Sequence, residues 1–189
     1  PDETISQLSP QECTKLKREG LYICMIKNPN LVAKNVTPQL SDAAFIREKV
    51  PMTKEEIRHV SICKLHLKSD SVFYDVGSGT GSIAVEAASL SDDMEVYAIE
   101  QKENAVQLIM QNKEKHGLEN IHVINAKAPD GMDNLPVPTH AFIGGSGGNL
   151  KEIIEALKAK NPHIRIVINA ISMETICEIK EILSAYDVK

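Results

Sequence analysis

No stretch of this chain stays apolar for the length that crossing a membrane requires. The opening residues "PDETISQLSP" lack the layout of a signal peptide. Cys13, Cys24, Cys63 and Cys177 stand far apart and form no C-x-x-C pair. They predict reduced, mostly buried thiols in a cytoplasmic protein rather than a disulfide framework. The six histidines never fall at H-x-H or H-x-x-x-H spacing, so the expectation is no protein-bound metal. Positive charge is not in excess: 21 Lys and Arg face 26 Asp and Glu, for a net charge of −5. That balance argues against a general nucleic-acid binder, although it leaves room for a local basic patch.

The 189 residues suit one domain with a proper core and an additional arm. Hydrophobic content of 42% and charged content of 25% are ordinary for a globular chain. From residue 53 onward a regular alternation begins. "TKEEIRHVSICKLHL" opens with Thr53 and carries Glu56 three residues later, the spacing of a capping box. Ile57, Val60, Cys63 and Leu67 follow at helical spacing. "SVFYDVG" (71–77) predicts a buried strand, and "SIAVEAASL" behind it a helix with Ile83, Ala84, Ala87 and Ala88 on one face. "EVYAIE" (95–100) is a second strand. "KENAVQLIMQNKEKHG" is a helix with Ala105, Leu108 and Ile109 inward and Gly117 at the C-cap. "NIHVINA", "HAFIGG" and "HIRIVINAI" complete five strands, with "NLKEIIEALKAK" and "METICEIKEILSAY" as further helices. The rhythm predicts an α/β fold with a doubly wound, mostly parallel sheet and right-handed crossovers.

Sheets of this kind bind ligands beyond the carboxyl ends of their strands, where strand order reverses. The segment after the first strand reads "DVGSGTGS", with Gly77, Gly79 and Gly81 alternating. Such spacing lets backbone turn sharply and approach a ligand while the next helix starts close to the strand. Ser82 stands where the dinucleotide G-x-G-x-x-G/A pattern needs Gly or Ala. Glu100, closing the second strand, sits where a carboxylate can accept both hydroxyls of a ribose. A second glycine-rich stretch, "FIGGSGGNL" (142–150), follows the fourth strand.

An acid, a hydrophobe and three alternating glycines resemble the first motif of class I S-adenosylmethionine-dependent methyltransferases. The Asp/Asn-Pro-Pro-aromatic stretch of many amino-group methyltransferases is missing after the fourth strand. Four segments in order, "FIREKVPMTKEEIR" (45–58), "DVGSGTGSIAVEAA" (75–88), "NAKAPDGM" (125–132) and "FIGGSGGNL", are similar to the decarboxylating C-15 methyltransferases of cobalamin biosynthesis. That family acts on cobalt-precorrin-6B, or on the cobalt-free precorrin-6 intermediate. The resemblance covers about residues 42 to 186.

The resemblance implies S-adenosylmethionine as cofactor and a carboxylate-rich tetrapyrrole as acceptor. Thr53, Gly77, Ser78, Gly79, Thr80, Gly81, Glu100 and Ala126 are then the cofactor-binding candidates. Gly144, Gly145, Ser146, Gly147, Gly148 and Asn149 form a backbone shelf for the acceptor. Arg47, Lys49, Lys54 and Arg58 are candidates for a basic rim. No catalytic acid is assigned; Lys127 and His140 are the conceivable proton donors. Lys127 stands where relatives often have an acid, and so does Thr139. Residues 1–41 resemble the tail of a C-5 methyltransferase domain, fused ahead of the C-15 domain in some relatives, or else form a simple arm. Residues 42–189 would be the methyltransferase domain, with only "DVK" at its end hinting at the further strands usual in class I enzymes. An open sheet edge there favours pairing with another subunit, and family members are oligomers, often tetramers. Three other readings stay open: a methyltransferase acting on another small molecule, a nicotinamide-dependent oxidoreductase and a non-catalytic methyltransferase-like module.

Overall fold

The computed structural model describes residues 7–13, 15, 17, 25, 38–184 and 186. The chain divides into two compact units, Pro1–Ala33 and Lys34–Lys189. The described part of the first contains the short helix α1 (Pro10–Cys13), whose start is closed reciprocally by Ser9 and Glu12. Most of "LYICMIKNPN" and all of "DVK" lie outside the described residues. Among the described residues, no helix is long and apolar enough to cross a membrane.

The second unit opens with a 3-10 turn (Asp42–Ala44) and runs α2 (Glu55–Leu65), β1 (Val72–Val76), α3 (Ser82–Ala88), β2 (Glu95–Glu100) and α4 (Glu103–Lys115). It continues with β3 (Ile121–Asn125), β4 (His140–Ile143), α5 (Leu150–Lys160), β5 (Arg165–Ile168) and α6 (Met173–Leu183). The strands pair in the order β3-β2-β1-β4-β5, all parallel. Consecutive strands step outward one way to β3, then the chain returns to the other side of β1. The reversal lies between β1 and β4.

Strand residues alternate between faces, so neighbours in β1 enter different cores. Phe73 packs with Ile62, Leu65, Ile83, Ile109 and Phe142 beneath α2, α3 and α4. Tyr74 and Val76 pack with Ile143, Leu150, Ile153 and Leu157 beneath α5. All seven residues of α3 are buried, including Glu86, which is paired with Arg58. Ala105, Leu108 and Ile109 of α4 face inward as expected. Gly117 follows that helix at φ +62 and donates its N–H to the Glu114 carbonyl, which ends the helix.

Helix α2 departs from the sequence expectation in two respects. It starts at Glu55 with Lys54 as N-cap, and no side chain caps it. The Thr53–Glu56 box does not form; the Thr53 carbonyl instead accepts from Arg58 Nη1 at 2.8 Å. The buried stripe is Arg58, Ser61, Ile62 and Leu65, one residue out of phase with the apolar positions. Ile57 and Val60 are 53% and 56% exposed, and Cys63 is exposed too. A polar stripe can face inward here because Glu86 neutralises Arg58 and the Ser61 hydroxyl donates to the Ile57 carbonyl. Cys177 is also free and exposed, so neither Cys63 nor Cys177 is the buried thiol that was expected.

Candidate active site

Val76, Ile99 and Ile143 lie side by side in register, so the segments that follow β1, β2 and β4 leave the sheet at one edge. The β1 segment is pinned first. Gly77 and Ser78 donate their N–H groups to the Ile99 carbonyl at 2.9 and 3.2 Å. Beneath them the Asp75 carboxylate accepts from Ser78 Oγ at 2.6 Å and from the Ala84 N–H at 3.1 Å. Burial pushes the Asp75 carboxyl up to about 7, assisted by the Glu100 charge and opposed by those two hydrogen bonds. Its Oδ1, and the Thr80 hydroxyl nearby in the chain, find no hydrogen-bond partner among the described residues.

The two glycine loops touch. A Cβ added to Gly77 would stand 2.3 Å from the Gly145 carbonyl oxygen and 2.8 Å from its nitrogen. Gly77 also adopts φ +69, a region that side chains disfavour. The Gly144 N–H donates to the Val76 carbonyl at 2.9 Å, which draws the second loop onto the first strand. On the other side of the first loop Glu100, 7% exposed, accepts from the Gly79 N–H through Oε2 and from the Lys102 N–H through Oε1, each at 2.9 Å. Each carboxylate oxygen has a second lone pair, so both can still accept a ligand hydroxyl.

A cavity of about 510 Å³ opens over these groups, a size usual for a small-molecule or cofactor site. It brings together Thr53, Gly77, Ser78, Gly79, Glu100, Ala126, Gly144, Gly145, Ser146 and Gly147. Those residues come from five separate segments of the chain, four of them at the carboxyl ends of β1, β2, β3 and β4.

Residues 43–188 match the precorrin methyltransferase domain. The chain belongs to that family. A probable cobalt-precorrin-6B C(15)-methyltransferase (decarboxylating) of Sulfurisphaera tokodaii is 42% identical over 143 residues, 74% of each chain. The cobalt-precorrin-6B C(15)-methyltransferase (decarboxylating) of Salmonella typhimurium is 37% identical over 139 residues, 72% of this chain and 71% of that one. The crystal structure of a precorrin-6y C5,15-methyltransferase from Geobacter metallireducens superposes with a TM-score of 0.75 at 35% identity, covering 81% of this chain and 82% of that one. The doubly wound α/β architecture expected from the sequence is thus the architecture of this precorrin methyltransferase family.

Some expected site residues lie elsewhere in this family member. Thr80 is buried beneath the loop, and its carbonyl accepts from Asn112 at 2.9 Å. Gly81 is the N-cap of α3, where an added Cβ would meet Ile109 at 3.1 Å. Gly148 and Asn149 are not part of the cavity wall. The Asn149 amide donates to the Ala128 carbonyl at 3.0 Å, so its N–H₂ ties α5 to the loop after β3.

The basic rim also changes. Arg58 is fully buried and pairs with Glu86 at 2.9 Å, so it cannot greet a substrate at the mouth. Arg47 and Lys49 are outside the cavity wall, whereas Lys54 lines it, 3.1 Å from Asp42. Lys102 and Lys127 supply the other ammonium groups along the wall. His140 opens β4, opposite Phe73 and three residues before the crevice end. Its ring meets the Thr139 hydroxyl at 2.8 Å, and it is buried far from the glycine loops along the strand, so it is no proton donor to this cavity. Burial lowers its affinity for a proton, as do Arg165 and Lys68.

Pro51, Met52, Ile57, Gln101, Asn169 and Ile171 also line the cavity, though the sequence marks none of them as a site residue. Asn169 and Ile171 follow β5, and the rule that ligands gather at strand carboxyl ends could have picked them out. Ile57 was hidden by its apolar character, which reads as core.

Proposed function

We propose that this chain transfers a methyl group from S-adenosylmethionine to C-15 of a precorrin-6 type tetrapyrrole, with or without cobalt, and releases the C-12 acetate carboxyl as carbon dioxide. The observation that carries this proposal is the junction of two glycine loops at the strand-order reversal, with Glu100 at the neighbouring strand end, in a member of the precorrin methyltransferase family. The residues present fit the cofactor. Glu100 keeps acceptor capacity for ribose hydroxyls, Gly79 leaves a cradle that a side chain would fill, and Ala126 and Ala128 offer an apolar wall for an adenine.

When bound, the cofactor supplies an electrophilic methyl on a sulfonium, which leaves as a thioether once the new carbon–carbon bond forms. The chain's own contribution is to hold and to orient. Gly77–Gly79 and Glu100 fix the cofactor end of the cavity, and Gly144, Gly145 and Gly147 present bare backbone, with Ser146 among them, on the acceptor side. Positioning of this kind accounts for much of the barrier reduction in a two-reactant transfer. Ile57, Ile171 and Met52 give the outer wall an apolar character suited to a macrocycle, while Lys54, Lys102 and Lys127 offer charges to its carboxylates. In the second reaction the departing carboxylate leaves its electron pair in the conjugated macrocycle, and a proton completes the new methyl group. An apolar wall that strips water from that carboxylate favours its loss.

Incubation with S-adenosylmethionine and the tetrapyrrole, followed by mass measurement, tests the proposal. The expected product gains one methyl and loses one carbon dioxide; an unchanged acceptor would favour a non-catalytic module. Thermal stabilisation by NAD and not by S-adenosylhomocysteine would favour an oxidoreductase.

A further inference from the structure

Between Phe45 and α2 the chain crosses the cavity as a segment, residues 46–54, without helix or strand. Its internal support is one turn, in which Val50 N–H donates to the Arg47 carbonyl at 3.0 Å. Val50, Pro51, Met52, Thr53 and Lys54 nevertheless form one wall of the cavity. The wall presses close: a Cβ at Gly79 would lie 3.1 Å from the Pro51 carbonyl oxygen. Its placement must therefore come from outside the segment.

Two fully buried polar side chains supply it, one at each end. At the start, Asn112 of α4 accepts from the Ile46 N–H at 2.7 Å and donates to the Ile46 carbonyl at 2.8 Å. The same amide donates to the Thr80 carbonyl at 2.9 Å, so it ties the segment directly to the first glycine loop. At the far end, Arg58 donates to the Thr53 carbonyl at 2.8 Å, to Asp42 at 3.2 Å and to the Leu40 carbonyl. Its Nε donates to Glu86 at 2.9 Å, and its guanidinium lies 4.6 Å from the Phe45 ring centroid. Glu86 in turn accepts from the Gln39 and Leu40 N–H groups at 2.7 and 3.1 Å. A buried ion pair is a poor way to gain stability, since well-packed apolar groups of like volume often serve as well or better. What it achieves here is a fixed position for the Thr53 and Leu40 carbonyls around one guanidinium.

We propose that Arg58 and Asn112 are positioning residues that clamp segment 46–54 as a fixed wall over the cofactor end of the cavity, and so set the affinity for an adenosyl ligand. This rests on the cofactor reading above. Neither side chain is needed to touch the ligand; Arg58 acts through Thr53 and Asn112 through Ile46. Lysine at 58 keeps a charge for Glu86 but cannot reach Thr53, Leu40, Asp42 and Glu86 together.

The test compares Arg58→Lys and Asn112→Ala with Leu157→Ala, a fully buried core truncation beneath α5 on the other sheet face. S-adenosylhomocysteine affinity is measured by calorimetry, and amide hydrogen exchange of residues 46–54 reports how firmly the wall is held. Both positioning variants should speed exchange in the segment and weaken binding about tenfold, equivalent to about 1.4 kcal/mol. Leu157→Ala should lower the melting temperature while leaving affinity and segment exchange near wild type. Unchanged affinity in Arg58→Lys and Asn112→Ala, or an equal loss in Leu157→Ala, would overturn the positioning role. Failure of the wild-type protein to bind S-adenosylhomocysteine would instead overturn the cofactor reading on which that role depends.

Discussion

At Gly77 an added Cβ would stand 2.3 Å from the Gly145 carbonyl oxygen; at Gly145 an added Cβ would meet nothing within 4 Å. The two loops look alike in sequence, and Gly144, Gly147 and Gly148 of the second, like the glycines of the first, answer to a close neighbour or a positive φ; Gly145 answers to neither. Gly77, Gly79 and Gly81 all have positive φ; at Gly77 the neighbouring backbone leaves no room for a Cβ, and at Gly79 and Gly81 the fit would be tight. Gly145 lies outside the left-handed region and faces open cavity. The first loop therefore serves the fold as well as the ligand, while the bareness of Gly145 makes sense only for something that arrives from outside. Substitutions in the two loops should separate these roles.

The largest effect is expected at Gly77→Ala, where backbone clash adds to an unfavourable φ. Strain and overpacking together should cost about 3 kcal/mol or more of stability, measured by urea unfolding, and abolish detectable S-adenosylhomocysteine binding. Tolerance of alanine would mean that the loops can separate, and the contrast would collapse. Next comes Glu100→Gln. The carboxylate accepts from two backbone N–H groups, and an amide must turn a donor toward one of them. Losing a charge-assisted bond should weaken cofactor-analogue binding by about 1.5–3 kcal/mol, roughly ten- to a hundredfold, read by calorimetry. Gly145→Val should be milder and of a different kind. Stability should stay within about 0.5 kcal/mol of wild type, as for surface sites. Analogue affinity should hold while turnover falls about tenfold, about 1.4 kcal/mol in the barrier, if the side chain meets only the acceptor. Equal losses in binding and turnover would put Gly145 in the cofactor site.

Much of this was legible in the sequence because strand and helix periods and the Gly77–Gly81 spacing carry direct physical meaning. All five strands and the placement of Glu100 at a strand end came from those patterns. What stayed hidden depended on partners distant in the chain. Arg58 reads as a surface charge until Glu86, 28 residues later, is seen beside it. Ile57 and Val60 read as core because they are apolar, yet the inward stripe runs through Arg58 and Ser61. Likewise Asn149 reads as a ligand donor until the Ala128 carbonyl is found in contact with it. Local periodicity does not encode such pairings, since each requires two segments to be brought together by the fold.

The loops also differ in their anchors. The first rests on Asp75, a titratable group; the second is held through Gly144 and Asn149, which do not titrate. Burial raises the Asp75 carboxyl to about 7, whereas an unfolded aspartate titrates near 3.9, at about the usual value. Between those values the folded protein holds a proton that the unfolded chain has released. The associated stability is present in full below about pH 4 and is lost as pH rises through about 7. Asp75→Asn removes that proton but keeps an acceptor for Ser78 and Ala84. Urea midpoints of wild type should therefore fall more steeply between pH 5 and about 7.5 than those of Asp75→Asn. Parallel profiles would show that Asp75 titrates normally, and that the first loop is held as independently of pH as the second.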